Sequence, residues 1–143
     1  MKNLIRSLIF SLIIETLYIF YKPNKKTLGS GNNTIFGNVI YVDNYGNSIS
    51  NISKKTFNEI GKGRDFEVIA NKYSFTKINT KYSDIVDFTL QKEVRQKDGS
   101  RLAIFNSANY LEIAMYRSNL NTVGGASSLL GLGYRDVISI KFS

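Results

Sequence analysis

The chain contains no cysteine, no histidine and no tryptophan, and a single proline, in 143 residues. Without cysteine there are no disulfides, no thiolate nucleophile and no Cys-zinc site. Without histidine the commonest general base is gone, along with the usual catalytic triads and most transition-metal sites. Proton chemistry would fall to carboxylates, tyrosine or lysine. No metal site and no resident cofactor are expected. Aromatic residues are nevertheless plentiful, with nine Tyr and nine Phe. A chain of this length fits one domain and buries a sizeable core without covalent staples.

The net charge of +8 invites a nucleic-acid or membrane reading. Its distribution weakens that reading. Residues 1–35 carry five basic side chains against Glu15, giving +4, and the remainder carries fourteen basic against ten acidic, again +4. In the main body both signs are interspersed, as on an ordinary solvated surface. Nucleic acid is therefore not the expected partner.

Residues 1–22 are apolar and read as a helix. Asn3, Ser7, Ser11 and Glu15 recur every four positions, forming one polar stripe. The charge-free run Ser7–Ile14 has eight residues, far short of a membrane span. Lys2 and Arg6 before an apolar stretch resemble a secretory signal, with Thr27-Leu28-Gly29 as a weak cleavage site. A helix packed on the domain or a partner, a signal or anchor, and a remnant of a truncated reading frame all remain open. A cytoplasmic location is expected, with anchoring or export as the alternative. Pro23 ends the helix, and residues 23–35, rich in Lys, Gly, Ser and Asn, read as a linker.

From Phe36 onward the pattern is that of many short strands. Val39–Val42, Ser48–Ile52, Phe66–Ala70, Tyr73–Ile78, Leu102–Phe105, Leu111–Tyr116 and Val137–Phe142 are β-branched, aromatic or alternating, and Thr89–Val94 alternates weakly. Leu111, Ile113 and Met115 share one face; Ile138, Ile140 and Phe142 point inward. Ser53 or Thr56 can cap a short helix containing Phe57 and Ile60, with Gly61 placed to end it. A second short helix spans Ala126–Leu130 and stops at Gly131. The expected fold is all-β: a small antiparallel β-barrel over residues 36–143 with one or two short helices, preceded by an N-terminal apolar helix.

Three constellations could carry chemistry. In Asp43-x-Tyr45-Gly46-Asn47, Gly46 permits a tight turn, Tyr45 offers a flat face and Asn47 an amide that reads a polar edge; the same residues are ordinary hairpin residues. Phe105–Ala114 joins two strands through a polar turn containing Ser107, which could hold a small polar ligand or be a plain hairpin. Gly124-Gly125-Ala126-Ser127-Ser128 opens a helix and could meet an anion. It lacks the Lys-Ser or Lys-Thr of a P-loop and reads equally as a turn and cap.

Taken in order, these segments resemble a known family. Gly37–Ile52, with its Tyr41-Val42-Asp43-Asn44-Tyr45-Gly46-Asn47 centre, is similar to the opening of the C-terminal domain of the S-adenosylmethionine hydroxide adenosyltransferases, which include related fluorinating and chlorinating enzymes. Leu102–Ser107 followed by Tyr110–Ala114 looks like that domain's second signature, and Ala126 with Leu129–Leu132 like its end. The resemblance implies a site between an N-terminal α/β domain of one subunit and the C-terminal β domain of its neighbour in a homotrimer. There water or hydroxide attacks C5′ of S-adenosylmethionine, giving adenosine and methionine. Substrate-binding roles carry over by motif. Asp43 faces the methionine ammonium, Tyr45 lies against adenine, Asn47 hydrogen-bonds the ligand, Tyr82 is a second aromatic near the base, and Ser107 meets the methionine carboxylate. Aromatic stacking on a base is worth about 1–3 kcal/mol.

The chain departs from the family pattern in several places. Tyr45 stands where Phe is usual, and Ala108-Asn109 replaces a side chain followed by Gly. Tyr82–Asn106 is longer than usual, and Arg117–Gly125 looks inserted, so adenine contacts from that loop are not assigned. Nothing in Met1–Asn33 matches the α/β domain that holds the ribose and the attacking water. No catalytic residue is therefore assigned, and the expectation is an adenine- and methionine-side half-site, inactive unless a separately encoded α/β domain completes it. The competing readings are a small basic barrel for single-stranded nucleic acid, with Tyr and Phe as stacking platforms, and a secreted or anchored interaction domain.

Overall fold

The computed structural model describes residues 33–95, 99–118, 121 and 124–143. The apolar segment 1–22 and the linker up to residue 32 lie outside the described residues.

Eight strands form one nearly closed barrel: β1 (Thr34–Val42), β2 (Ser48–Ser53), β3 (Phe66–Ala70), β4 (Tyr73–Phe75), β5 (Ile78–Asn79), β6 (Arg101–Phe105), β7 (Tyr110–Met115) and β8 (Val137–Phe142). Their order is β4-β3-β8-β1-β2-β7-β6-β5. The two end strands, β4 and β5, are consecutive in sequence, so Thr76-Lys77 carries the chain from one edge to the other. All pairings are antiparallel except β5 with β6, a two-residue parallel contact. Tyr73–Ile78, expected as one strand, is thus divided between opposite edges. Thr89–Val94 is not a strand. Asp87 accepts hydrogen bonds from the Thr89 amide and hydroxyl, Arg95 donates to the carbonyls of Phe88 and Leu90, and Lys92–Val94 is a single 3-10 turn. These local bonds hold the loop without a strand partner.

The barrel interior is filled by the inward row of each strand, including Ile35, Val39, Val68, Leu111, Ile113, Ile138 and Ile140. Inward Ile138, Ile140 and Phe142 confirm the alternation of β8. One end is plugged by helix α1 (Lys54–Gly61). Its N-cap is Ser53, whose Oγ accepts from Thr56 N at 3.0 Å. Phe57 packs its ring against Phe66, Phe105 and Phe142 at centroid distances of 5.0, 5.5 and 5.5 Å. Such pairs contribute about 0.5–1.5 kcal/mol each beyond area burial. Gly61 does not terminate α1 by a left-handed turn; Lys62 does, at φ 50°. Gly61 is required for another reason, since a Cβ there would lie 2.6 Å from the Phe142 ring.

Two irregularities interrupt the sheet along β2, which runs from the β1–β2 loop at one end of the barrel to the β6–β7 turn at the other. The register between β1 and β2 slips at Ile40, the mark of a β-bulge. The register between β2 and β7 slips between Ile49 and Ser53. There Ser50 Oγ donates to Leu111 O at 2.9 Å in place of a ladder bond, while on the β1 side Asn51 Oδ1 accepts from Asn38 N at 2.8 Å. This explains why Ser48, Ser50 and Asn51 are buried in a strand that reads as polar. β7 is covered on both faces. Leu111, Ile113 and Met115 enter the main core, while Ala114 joins a second cluster with Leu102, Ile104 and Ile85.

Candidate functional site

The loop between β1 and β2 is built by Asp43. Its Oδ1 accepts from the backbone amides of Tyr45 (2.8 Å) and Asn47 (2.9 Å), and its Oδ2 accepts from Asn47 Nδ2 at 3.0 Å. Backbone bonds from Gly46 N to Asp43 O and from Asp43 N to Asn47 O close the turn. Gly46 adopts φ 77°, the left-handed region that favours glycine. Because a carboxylate only accepts, the Asn47 amide must turn its NH2 toward Asp43 and its oxygen away. That oxygen, Asn47 Oδ1, is buried and has no hydrogen-bond partner within the protein. The residue itself is 5% exposed, whereas the Tyr45 side chain stands 65% exposed beside it.

This loop is held from behind by the segment preceding and including helix α2 (Ala126–Leu129). Ser127 N donates to Gly46 O at 2.8 Å and Ser118 Oγ to Tyr45 O at 3.2 Å. A Cβ on Gly125 would meet Tyr45 O at 2.5 Å and Gly46 Cα at 2.6 Å. Gly125 therefore serves close backbone approach, and the first turn of α2 is spent on the neighbouring loop rather than on an anion.

Tyr82 begins a 3-10 turn, Tyr82–Ile85, between β5 and β6. Asp84 fixes this turn by accepting from Thr80 N, Thr80 Oγ1 and Lys81 N. The Thr80 hydroxyl bond, followed by the Lys81 amide, lowers the Asp84 carboxyl below its ordinary 3.8. Tyr82 is 41% exposed, and its hydroxyl donates to Glu112 Oε1 on β7. Burial, with the negative charges of Glu112 and Asp43 and the bond to Glu112, holds the phenol far above its ordinary 10.0. Glu112 is 4% exposed. Burial foremost, and then Asp43, raise its carboxyl, while the hydrogen bond from Tyr82 opposes the rise.

Asn106 starts the β6–β7 turn. Its Oδ1 accepts from Ala108 N (3.0 Å) and Tyr110 N (3.1 Å). Asn109 occupies the left-handed position at φ 62°, which asparagine tolerates well. The tight turn thus forms with asparagine where the family pattern has glycine. Ser107 lies exposed at its tip.

Tyr82 is therefore bonded to Glu112, and the Asp43 charge acts on both; Asn47 is bonded to Asp43, Tyr45 stands on the same loop, and Ser107 is on the turn that begins at Asn106. Among the described residues no ring contact links Tyr45 to Tyr82. Sequence reasoning missed Glu112 and Asn106 as site residues. The available signal was a carboxylate inside an otherwise apolar strand, Leu111–Met115.

Residues 37–139 match the family described as the SAM hydroxide adenosyltransferase C-terminal domain. The chain belongs to this family. The loop around Asp43 and the turn around Asn106 both fall inside the matched residues of this SAM hydroxide adenosyltransferase C-terminal domain. Among solved structures, that of an uncharacterized conserved protein from Thermotoga maritima is similar at 26% identity and TM-score 0.54, covering 77% of this chain and 36% of its own. A conserved hypothetical protein from Thermus thermophilus follows at 18% identity and TM-score 0.48, covering 76% and 34%. The chain thus spans about a third of the length of either protein. No curated protein matches it.

Proposed function

We propose that this domain forms the adenine and methionine side of an S-adenosylmethionine site. The observation that carries the reading is Asn47 Oδ1, a buried acceptor with no partner in the protein, held by Asp43 beside an exposed tyrosine face. A buried polar atom left unpaired costs about 1–3 kcal/mol, so a ligand donor there recovers that energy. The exocyclic amino group of adenine is such a donor. Tyr45 and Tyr82 offer ring faces for the base. Asp43 retains lone pairs for the methionine ammonium, a charge-assisted contact. Ser107 reaches the methionine carboxylate from the β6–β7 turn.

The reaction served is S-adenosylmethionine plus water giving adenosine, methionine and a proton. Water attacks C5′, the C5′–sulfur bond breaks, and the sulfur leaves as the neutral thioether. An α/β domain, as in family trimers, supplies the ribose contacts and holds the water; the β domain described here binds but does not turn over substrate by itself. Calorimetric titration with adenosine and with S-adenosylmethionine tests the binding. Saturable heat that is lost in Asn47→Ala supports the reading, and no heat from either ligand removes it.

A further inference from the structure

Glu112 lies on the outward face of β7, a face that is covered in this domain. It is opposite Ile49 on β2 and Ile104 on β6, both buried. A carboxylate in such surroundings is costly unless its position is used. Three separate segments converge on it. The 3-10 turn brings the Tyr82 hydroxyl, which donates to Oε1. The β6–β7 turn brings Asn106, whose Nδ2 is buried without a hydrogen-bond partner of ordinary geometry. The β1–β2 loop brings Asp43, whose charge acts on both Glu112 and Tyr82.

We propose that Glu112 is a positioning residue: its carboxylate holds the Tyr82 ring through the hydroxyl, and a cationic group captured at Asp43 tightens that hold. This rests on the S-adenosylmethionine reading above. The titratable groups acting on Glu112 are Tyr82 from the 3-10 turn and Asp43 from the β1–β2 loop; β2 and β6 present the two isoleucines. In the empty site, burial and then the Asp43 charge raise the Glu112 carboxyl above its ordinary value. A ligand ammonium or sulfonium beside Asp43 offsets that charge. That favours the carboxylate form of Glu112, to which the bond from the phenol is stronger. The aromatic face is thus fixed when the ligand carries its cation. Once methionine departs with its cation, that gain is lost and the ring is held less firmly around neutral adenosine. Substrate is held more tightly than product by a device outside the contacts to either.

The test is calorimetry of the full chain with S-adenosylmethionine and with adenosine, in two buffers of different ionisation enthalpy, above pH 4.5, the ordinary glutamate value. The expected result is proton release on S-adenosylmethionine binding that is absent with adenosine and abolished in Glu112→Gln. That variant narrows the preference for S-adenosylmethionine over adenosine by about 10-fold, the size of one charge-assisted hydrogen bond. Tyr82→Phe narrows it in the same direction, and, losing only a hydroxyl on a part-exposed ring, it remains informative if Glu112→Gln folds poorly. Proton release that persists in Glu112→Gln, or variants that weaken both ligands equally, overturns the proposal while leaving the site intact. A wild-type protein that binds neither ligand overturns both.

Discussion

Asn47 Nδ2 donates to Asp43 Oδ2 at 3.0 Å across the β1–β2 turn, and this one bond decides which end of the Asn47 amide is presented to a ligand. Asp43 is thus a structural brace before it is a contact. Replacing it with Asn keeps the shape but offers an NH2 where an acceptor stood. One of the three bonds it receives must be lost or inverted. Asp43→Asn is expected to lower stability by about 1–2 kcal/mol and to scramble the Asn47 orientation. Urea unfolding and adenosine titration of the same variant measure the two effects.

The glycine before α2 makes a second, steric prediction. Gly125 has an extended backbone, so alanine there meets no conformational penalty; its cost is contact, with Tyr45 O at 2.5 Å. Gly125→Ala is expected to displace the β1–β2 loop while leaving β3, β4 and β8 unchanged. Amide hydrogen exchange reads this directly as faster exchange at Tyr45–Asn47 with unaltered protection of Val68 and Ile140. Uniform protection across the domain would contradict it.

A third prediction concerns pH. Glu112 is raised above 4.5 in the folded state, chiefly by burial. A group raised on folding contributes stability that is complete below the unfolded value and is lost as pH rises through the folded one. The stability of the wild type relative to Glu112→Gln should therefore fall as pH increases from about 4.5. Parallel urea melts over a pH series check it; a flat or rising difference contradicts it.

The fold itself makes a fourth. Ser53 accepts from Thr56 N at the start of α1, and α1 carries Phe57 into the aromatic cluster. Ser53→Ala should cost about 1 kcal/mol as a lost cap. Phe57→Ala should cost more, about 3 kcal/mol, because it removes a ring shared by three others. Thermal or denaturant unfolding gives both values.

Much of this architecture was legible because it is written locally. Val137–Phe142 alternates cleanly, one row being buried and the other more open, and Ser53 with Gly61 marks the bounds of α1. The turn from Asp43 to Asn47 is local too: the bonds that Asp43 makes within it span at most four residues, although Ser118 and Ser127 hold it from behind. What stayed hidden depends on distant partners. Thr89–Val94 alternates weakly, but Asp87 and Arg95 satisfy its backbone, so no sheet recruits it. The period of β7 puts Glu112 on an outward face, yet that face is covered, and its partner Tyr82 lies thirty residues earlier. The Gly124-Gly125 pair suggests an anion site, whereas Gly125 lies against the backbone of Tyr45 and Gly46. The family resemblance points to Tyr82, but not to the carboxylate that holds it.

The measurement that tests the central claim most directly is paired calorimetry with adenosine and inosine. Adenosine offers an amino group to the acceptor Asn47 Oδ1; inosine offers a carbonyl oxygen at the same position, leaving that acceptor unpaired. Adenosine should bind at least about 10-fold more tightly than inosine, and Asn47→Ala should erase the difference. Equal binding of the two nucleosides by the wild-type protein would contradict the account.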